Sequence, residues 1–163
     1  MTKEKKPYRV LFVCLGNICR SPLAEAIFQK KINDQQLNHL FTCDSCGTGN
    51  YHIGEQPDPR TIAVAQKHQV PINHRCRQLQ SSDFQTFDRI LAMDESNRRN
   101  IVWKGGDSSK EKVWLMRNFD PNGGEEVPDP YHGGEKDFEE VYQILDRSID
   151  ALIRELLKEI ETT

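Results

Sequence analysis

No stretch of this 163-residue chain approaches the ~20 consecutive apolar residues of a membrane-crossing helix, so no helical span is expected. A large excess of either charge is also missing. The net charge is −3, and nothing in it suggests wholesale nucleic-acid binding. The first six residues, Met1-Thr2-Lys3-Glu4-Lys5-Lys6, carry charge but no apolar run long enough for a signal peptide follows them. Residues 1–7 therefore read as a polar tail and residues 8–163 as one domain, large enough for a substantial core. An even set of cysteines is lacking too. Five thiols suit a reducing cytoplasmic compartment better than a disulfide-built secreted fold. Internal repeats and interdomain linkers are absent.

What is present is an alternation of strand-like and helix-like segments. Arg9–Cys14 reads as a fully buried strand because its apolar residues are consecutive. Helical patterns follow at Leu23–Ile32, at Arg60–Gln69 before Val70-Pro71, and from Asp94 to Trp103. Further strands are expected at Leu40–Ser45, Arg89–Met93 and Val113–Leu115, and loops at Gly47–Pro59, Lys104–Lys112 and Asn118–Gly134. Val141, Ile144, Leu145, Ile149, Leu152, Ile153, Leu156, Leu157 and Ile160 trace an apolar stripe at helical spacing, which reads as core packing. Repeated β-α units imply an α/β fold, a doubly wound parallel sheet with helices on both faces. Ligands of such sheets bind beyond the C-terminal strand ends, at a switch point.

The first strand ends at Cys14, and Leu15-Gly16-Asn17-Ile18-Cys19-Arg20 leads on to Ser21-Pro22 and a helix. A short loop over a helix N-terminus can aim several backbone N–H groups at one tetrahedral oxyanion. Gly16 permits a positive φ and a close approach, and Asn17 tolerates the left-handed region. Arg20 adds a planar fork for two phosphate oxygens. The helix end and the arginine favour a thiolate at Cys14, to which Ser21 can donate a hydrogen bond. A thiolate facing a phosphate ester can attack phosphorus and form a phosphocysteine.

Val13-Cys14-Leu15-Gly16-Asn17-Ile18-Cys19-Arg20-Ser21-Pro22 resembles the signature loop of the low-molecular-weight protein tyrosine phosphatases. Asp129-Pro130-Tyr131 resembles that family's second hallmark, Asp44-Ser45-Cys46-Gly47-Thr48 its D-S-A-G-T segment, and Ala92-Met93-Asp94-Glu95-Ser96-Asn97 a further segment. The likeness runs from about Arg9 to about Leu157. It implies a four-stranded flavodoxin-like sheet and a metal-independent, cofactor-free phosphatase. Its substrates would be phosphotyrosine proteins and small aryl phosphates, with phosphate or other oxyanions as inhibitors. It implies Asp129 as general acid and then base. It also implies that Asn17, Ser45 and His74 hold the loop open, that Tyr51 and Tyr131 flank the substrate crevice, and that Asp94 lies near Arg20. A monomer or weak dimer is expected.

The residues by themselves leave several points open. Asp120, Glu125 and Glu126 are carboxylates near Asp129, and His74 alone reads as a surface residue. Cys19 is either a resolving thiol that traps an oxidised Cys14 or a small buried side chain. Cys43, Cys46 and Cys76 have no assigned role, and with His52 and His74 they make a poor zinc set. A related arsenate reductase would need further cysteines near Met93, which this chain lacks. Arginine phosphatases of the family tend to carry threonine at the position of Ile18 and phenylalanine at that of Tyr131. A phosphoprotein-binding module without turnover is disfavoured, because nucleophile, arginine, serine and acid are all present. His132 follows Tyr131 where many relatives carry a second tyrosine.

Overall fold

The computed structural model describes residues 6–161; most of the polar tail lies outside them. Four strands form one parallel sheet: β1 (Tyr8–Cys14), β2 (Phe41–Gly47), β3 (Arg89–Ala92) and β4 (Val113–Leu115), in the order β2-β1-β3-β4. Val10 lies beside Cys43 on one side of β1 and beside Arg89 on the other, and Ile90 lies beside Val113. The chain leaves β1 toward β2 and later returns to the other side of β1 with β3. The switch point therefore falls at the C-terminal end of β1, where Cys14 sits. This is the four-stranded α/β architecture expected from the sequence.

Side chains alternate across β1, so its two faces feed two cores. Val10, Phe12 and Cys14 pack with α1 (Arg20–Asp34), α2 (Pro59–Lys67) and α5 (Glu135–Glu161). Leu11 and Val13 pack on the other face with Ile90, Ala92 and Ile101, the last on α4 (Glu95–Gly105). On the first face Phe28 joins Phe12 and Phe41, with ring centroids 5.7 and 5.9 Å away. The apolar stripe of α5 from Val141 to Leu156 is buried as anticipated, while Leu157 and Ile160 at its end are only partly covered.

The differences from the sequence pattern are mostly at element ends. Helix α1 begins at Arg20 rather than at Leu23, so the arginine and Ser21 belong to its first turn. Proline is tolerated two positions later because N–H groups of the first turn have no helical partner. The expected loop Lys104–Lys112 contains a 3-10 turn at Asp107–Glu111, and α3 (Asp83–Thr86) is a four-residue helix too short to leave a periodic signal.

Helix α5 is tied to α2 by Glu139, which accepts from Lys67 at 3.1 Å and His68 at 2.8 Å. The His68 ring stacks on Tyr142 with centroids 3.7 Å apart. Burial opposes ionisation of Glu139, but hydrogen bonds from Gln143, His68 and Lys67 outweigh it and bring its pKa down to about 2. An unfolded glutamate takes up its proton near 4.5. The stability it contributes is thus present above that value and lost as pH falls through the folded one. Urea unfolding between about pH 2 and 5 should show a steeper pH dependence for the wild type than for Glu139→Gln.

Candidate active site

The loop from Leu15 to Cys19 joins β1 to the N-terminus of α1. Its geometry is set by Asn17, which is fully buried and left-handed at φ 58°. The Asn17 Nδ2 group donates to Ser21 Oγ at 2.8 Å and Ser45 Oγ at 3.1 Å. Its Oδ1 accepts from the Arg77 backbone N–H at 3.0 Å and from His74 Nε2 at 2.8 Å. The Cys76 thiol donates to the Asn17 carbonyl. The left-handed turn thus falls on Asn17 and not on Gly16, whose φ is not positive. Gly16 instead lets His52 approach, since a Cβ there would lie 3.3 Å from its ring. Gly47, at the end of β2, has a stricter role: a Cβ would come within 2.6 Å of the Leu15 carbonyl.

Among the described residues, the backbone N–H groups from Leu15 to Cys19 are spent on no other acceptor. Cys14 lies at the floor, 2% exposed, with Sγ 3.0 Å from Ser21 Oγ. Arg20 is 3% exposed, and its Nη1 donates to Asp94 Oδ2 at 2.7 Å and to the Val127 carbonyl at 3.1 Å. Burial opposes its charge, but Cys14, Asp94 and Asp129 face it and raise its pKa further. Its Nη2 lies 3.7 Å from Asp129 Oδ2.

These groups open into a crevice of about 420 Å³, lined by Cys14, Leu15, Gly16, Ile18, Cys19, Arg20 and Asp129 and walled by Tyr51, His52, Tyr131 and His132. The rival carboxylates lie elsewhere. Asp120 is held by Arg117 and Arg147; burial opposes its ionisation, but these guanidinium groups and the Asn122 N–H keep its pKa below the usual range. Glu126 accepts from the Glu95 N–H at the start of α4, and Glu125 is exposed outside the crevice. Asp129 is the carboxylate that lines it.

His74 is not a surface residue: its side chain is 8% exposed. Its Nδ1 lies 3.1 Å from Glu25 Oε1, which also accepts from Ser45 Oγ at 2.7 Å. Glu25 escaped the sequence reading; its one signal is a lone acid within Leu23-Ala24-Glu25-Ala26-Ile27. Glu25, Asp44 and His74 bring possible metal-ligand atoms within 4.8 Å of one another, but here they serve Ser45, Asn17 and Arg77. All five cysteines are unbridged, and Cys43 and Cys46 join no such group among the described residues. Cys19 is buried, and burial above all pushes its pKa up to about 12.

Arg60 was also missed. It grips Asp58, the N-cap of α2, and donates to the carbonyls of Tyr131 at 2.9 Å and Gly133 at 3.2 Å. Its guanidinium lies 4.5 Å from the centre of the Phe138 ring. The segment carrying Asp129 is thereby tied to α2 and α5. Asp58 in turn donates its backbone N–H to the Ile18 carbonyl, so the same contact set reaches the Cys14 loop. No sequence motif marks Arg60, because the carbonyls of Tyr131 and Gly133 that it binds lie more than 70 positions away.

Comparison with known proteins agrees with this geometry. The sequence model of the family described as low molecular weight phosphotyrosine protein phosphatase matches residues 9–162. A low molecular weight phosphotyrosine protein phosphatase of Gallus gallus is 48% identical over 136 residues, covering 82% of this chain and 86% of its own. One of Homo sapiens is 45% identical over 142 residues, covering 86% and 90%. A crystal structure of a protein tyrosine phosphatase from Entamoeba histolytica, with Hepes in its active site, is similar at TM-score 0.90 and 41% identity, covering 93% of this chain and 98% of that one. With the Cys14–Arg20 loop and Asp129 in one crevice at the sheet's switch point and a family match spanning nearly its whole length, the chain belongs to the low molecular weight phosphotyrosine protein phosphatases.

Proposed function

We propose that the chain hydrolyses phosphotyrosine through a phosphocysteine on Cys14. The observation that carries this reading is the convergence of Cys14, the unspent N–H groups of residues 15–19, Arg20 and Asp129 on one crevice. Arg20 and the loop amides bind the phosphoryl oxygens. The Cys14 thiolate attacks phosphorus, the bond to the tyrosine oxygen breaks, and Asp129 gives that oxygen its proton. Water then attacks phosphorus and passes a proton to Asp129, releasing inorganic phosphate and the thiolate. Ser21, 3.0 Å from Cys14 Sγ, donates to the sulfur as it leaves. Asn17, Ser45 and His74 keep the loop open, and Asp94 orients Arg20.

Tyr51 and Tyr131 wall the crevice and suit an aryl ester whose phosphate must reach a deep thiol. No metal or cofactor is needed for these steps. The five unbridged thiols suit a cytoplasmic setting, and among the described residues no helix is long and apolar enough to cross a membrane. A phosphoprotein substrate, phosphate or oxyanion inhibitors, and a monomer or weak dimer complete the proposal.

Cys14→Ser should abolish turnover while retaining phosphate binding, since the amide cradle and Arg20 remain; isothermal titration with phosphate checks the second half. Arg20→Lys should also be severely impaired, because a lysine cannot grip two oxygens in one plane. Residual turnover in Cys14→Ser would overturn the covalent route.

Asp129→Asn should slow phosphotyrosine hydrolysis by about 10²–10⁴-fold. It should slow p-nitrophenyl phosphate less, because that leaving group needs little protonation. Equal losses across a series of aryl phosphates would reduce Asp129 to shaping its loop.

Oxidation offers a third test. If Cys19 condenses with a sulfenic acid on Cys14, peroxide inactivation of the wild type is reversed by added thiol, and that of Cys19→Ser is reversed less as sulfinic acid accumulates. Mass spectrometry of the oxidised proteins distinguishes the products, and identical recovery would remove Cys19 from the role.

A further inference from the structure

Large apolar side chains are exposed unevenly on this surface. Among the described residues six stand open to solvent: Leu15, Tyr51, Ile53, Trp103, Trp114 and Tyr131. Leu15, Tyr51 and Tyr131 line the catalytic crevice. Trp103, 87% exposed near the end of α4, lies outside it but lines a second concavity of about 310 Å³ with Leu15, Tyr51, Asn100 and Lys104. Leu15 and Tyr51 belong to both, so the groove is continuous with the crevice. The shared wall is well defined: the Gly49 N–H donates to the Leu15 carbonyl at 2.9 Å, and the Tyr51 ring lies so close over Gly49 that a Cβ there would come within 2.5 Å of it.

An indole held in water on a helix surface does nothing for the core, and exposed apolar residues gathered at the rim of a site mark a surface that binds something. The groove has a chemical signature as well. Its wall holds Lys104 and no carboxylate, with the amides of Gln78 and Asn100 as further polar groups. Apolar surface beside one cation suits an apolar side chain next to an acidic one.

We propose that this groove is a substrate subsite. It takes the polypeptide flanking the phosphotyrosine, seating a large apolar side chain against Trp103 and Leu15 and an acidic one at Lys104. The proposal rests on the phosphotyrosine reading of the crevice. The occupant follows from continuity: a chain whose phosphotyrosine stands between Tyr51 and Tyr131 emerges past Leu15 directly into the groove. Selectivity then comes from residues beyond the phosphorylated side chain, and a small aryl phosphate cannot sense it.

The test compares two phosphotyrosine peptides, one with leucine and glutamate in the three positions on either side, the other with glycine and serine there. p-Nitrophenyl phosphate is the reference substrate. The wild type should favour the leucine/glutamate peptide by about tenfold in kcat/KM, mainly through KM. Trp103→Ala should remove most of that preference relative to the reference, and Lys104→Glu should remove the part due to glutamate. In a Cys14→Ser background, Trp103→Ala should weaken binding of the leucine/glutamate peptide by several-fold. Equal turnover of the two peptides by the wild type, or a preference that survives Trp103→Ala, would overturn the subsite. So would a Trp103→Ala whose only effect is a smaller sedimentation coefficient, because the face would then belong to a second copy of the chain. Failure to cleave any phosphotyrosine substrate, p-nitrophenyl phosphate included, would instead strike at the reading of the crevice itself.

Discussion

Asn17 spends every polar atom of its side chain inside the protein. A primary amide offers two donors and two acceptor positions, and here all four are filled, by Ser21, Ser45, His74 and the Arg77 backbone. The residue is at a positive φ that asparagine tolerates better than most, and it is held there by partners from α1, β2 and the segment before α3. Because the side chain is consumed in this way, the loop backbone is left with N–H groups free of other acceptors. Glu25 and Gly47 extend the same constraint outward. One receives Ser45 and His74, and the other supplies the space into which the Leu15 carbonyl fits.

The charges are arranged around this frame by division of labour. Arg20 is buried and must be neutralised, and Asp94 with the Val127 carbonyl takes one end of its guanidinium while the other end faces Asp129. Of the other carboxylates of the long loop, Asp120 is held by two arginines, Glu126 by the start of α4, and Glu125 is exposed outside the crevice. Asp120 is buried between its two arginines, whereas the Asp129 side chain is half exposed at the mouth of the crevice. Arg60 connects the two halves of the site, because it grips the carbonyls after Asp129 and the aspartate that caps α2 beside Ile18. The Asp129 loop and the Cys14 loop are thus joined by hydrogen bonds through Arg60 and Asp58.

The fold class was legible because hydrophobic period survives in a single sequence. The consecutive apolar residues of β1 and the stripe of α5 each report the number of faces an element buries. Element ends were less legible. Helix α1 starts at Arg20 because the loop's hydrogen bonds, made by residues far along the chain, deliver the backbone into helical geometry two residues before the proline. The four-residue α3 was missed because a single turn has no period to detect. Gly16 and Asn17 both suit a positive φ by residue type, and only the surrounding side chains decide that Asn17 adopts it.

The sequence by itself determined the α/β class, the thiol and guanidinium at the two ends of one loop, and the aspartate before proline, because these depend on residue types at short spacing. Tertiary structure alone decided which carboxylate reaches the crevice, that the His74 side chain is largely covered, and that Glu25, Arg60 and Trp103 stand where they do. Each of those facts is a contact between residues tens of positions apart. Such contacts are set by how the helices lie on the twisted sheet, and neither local propensity nor motif spacing encodes them.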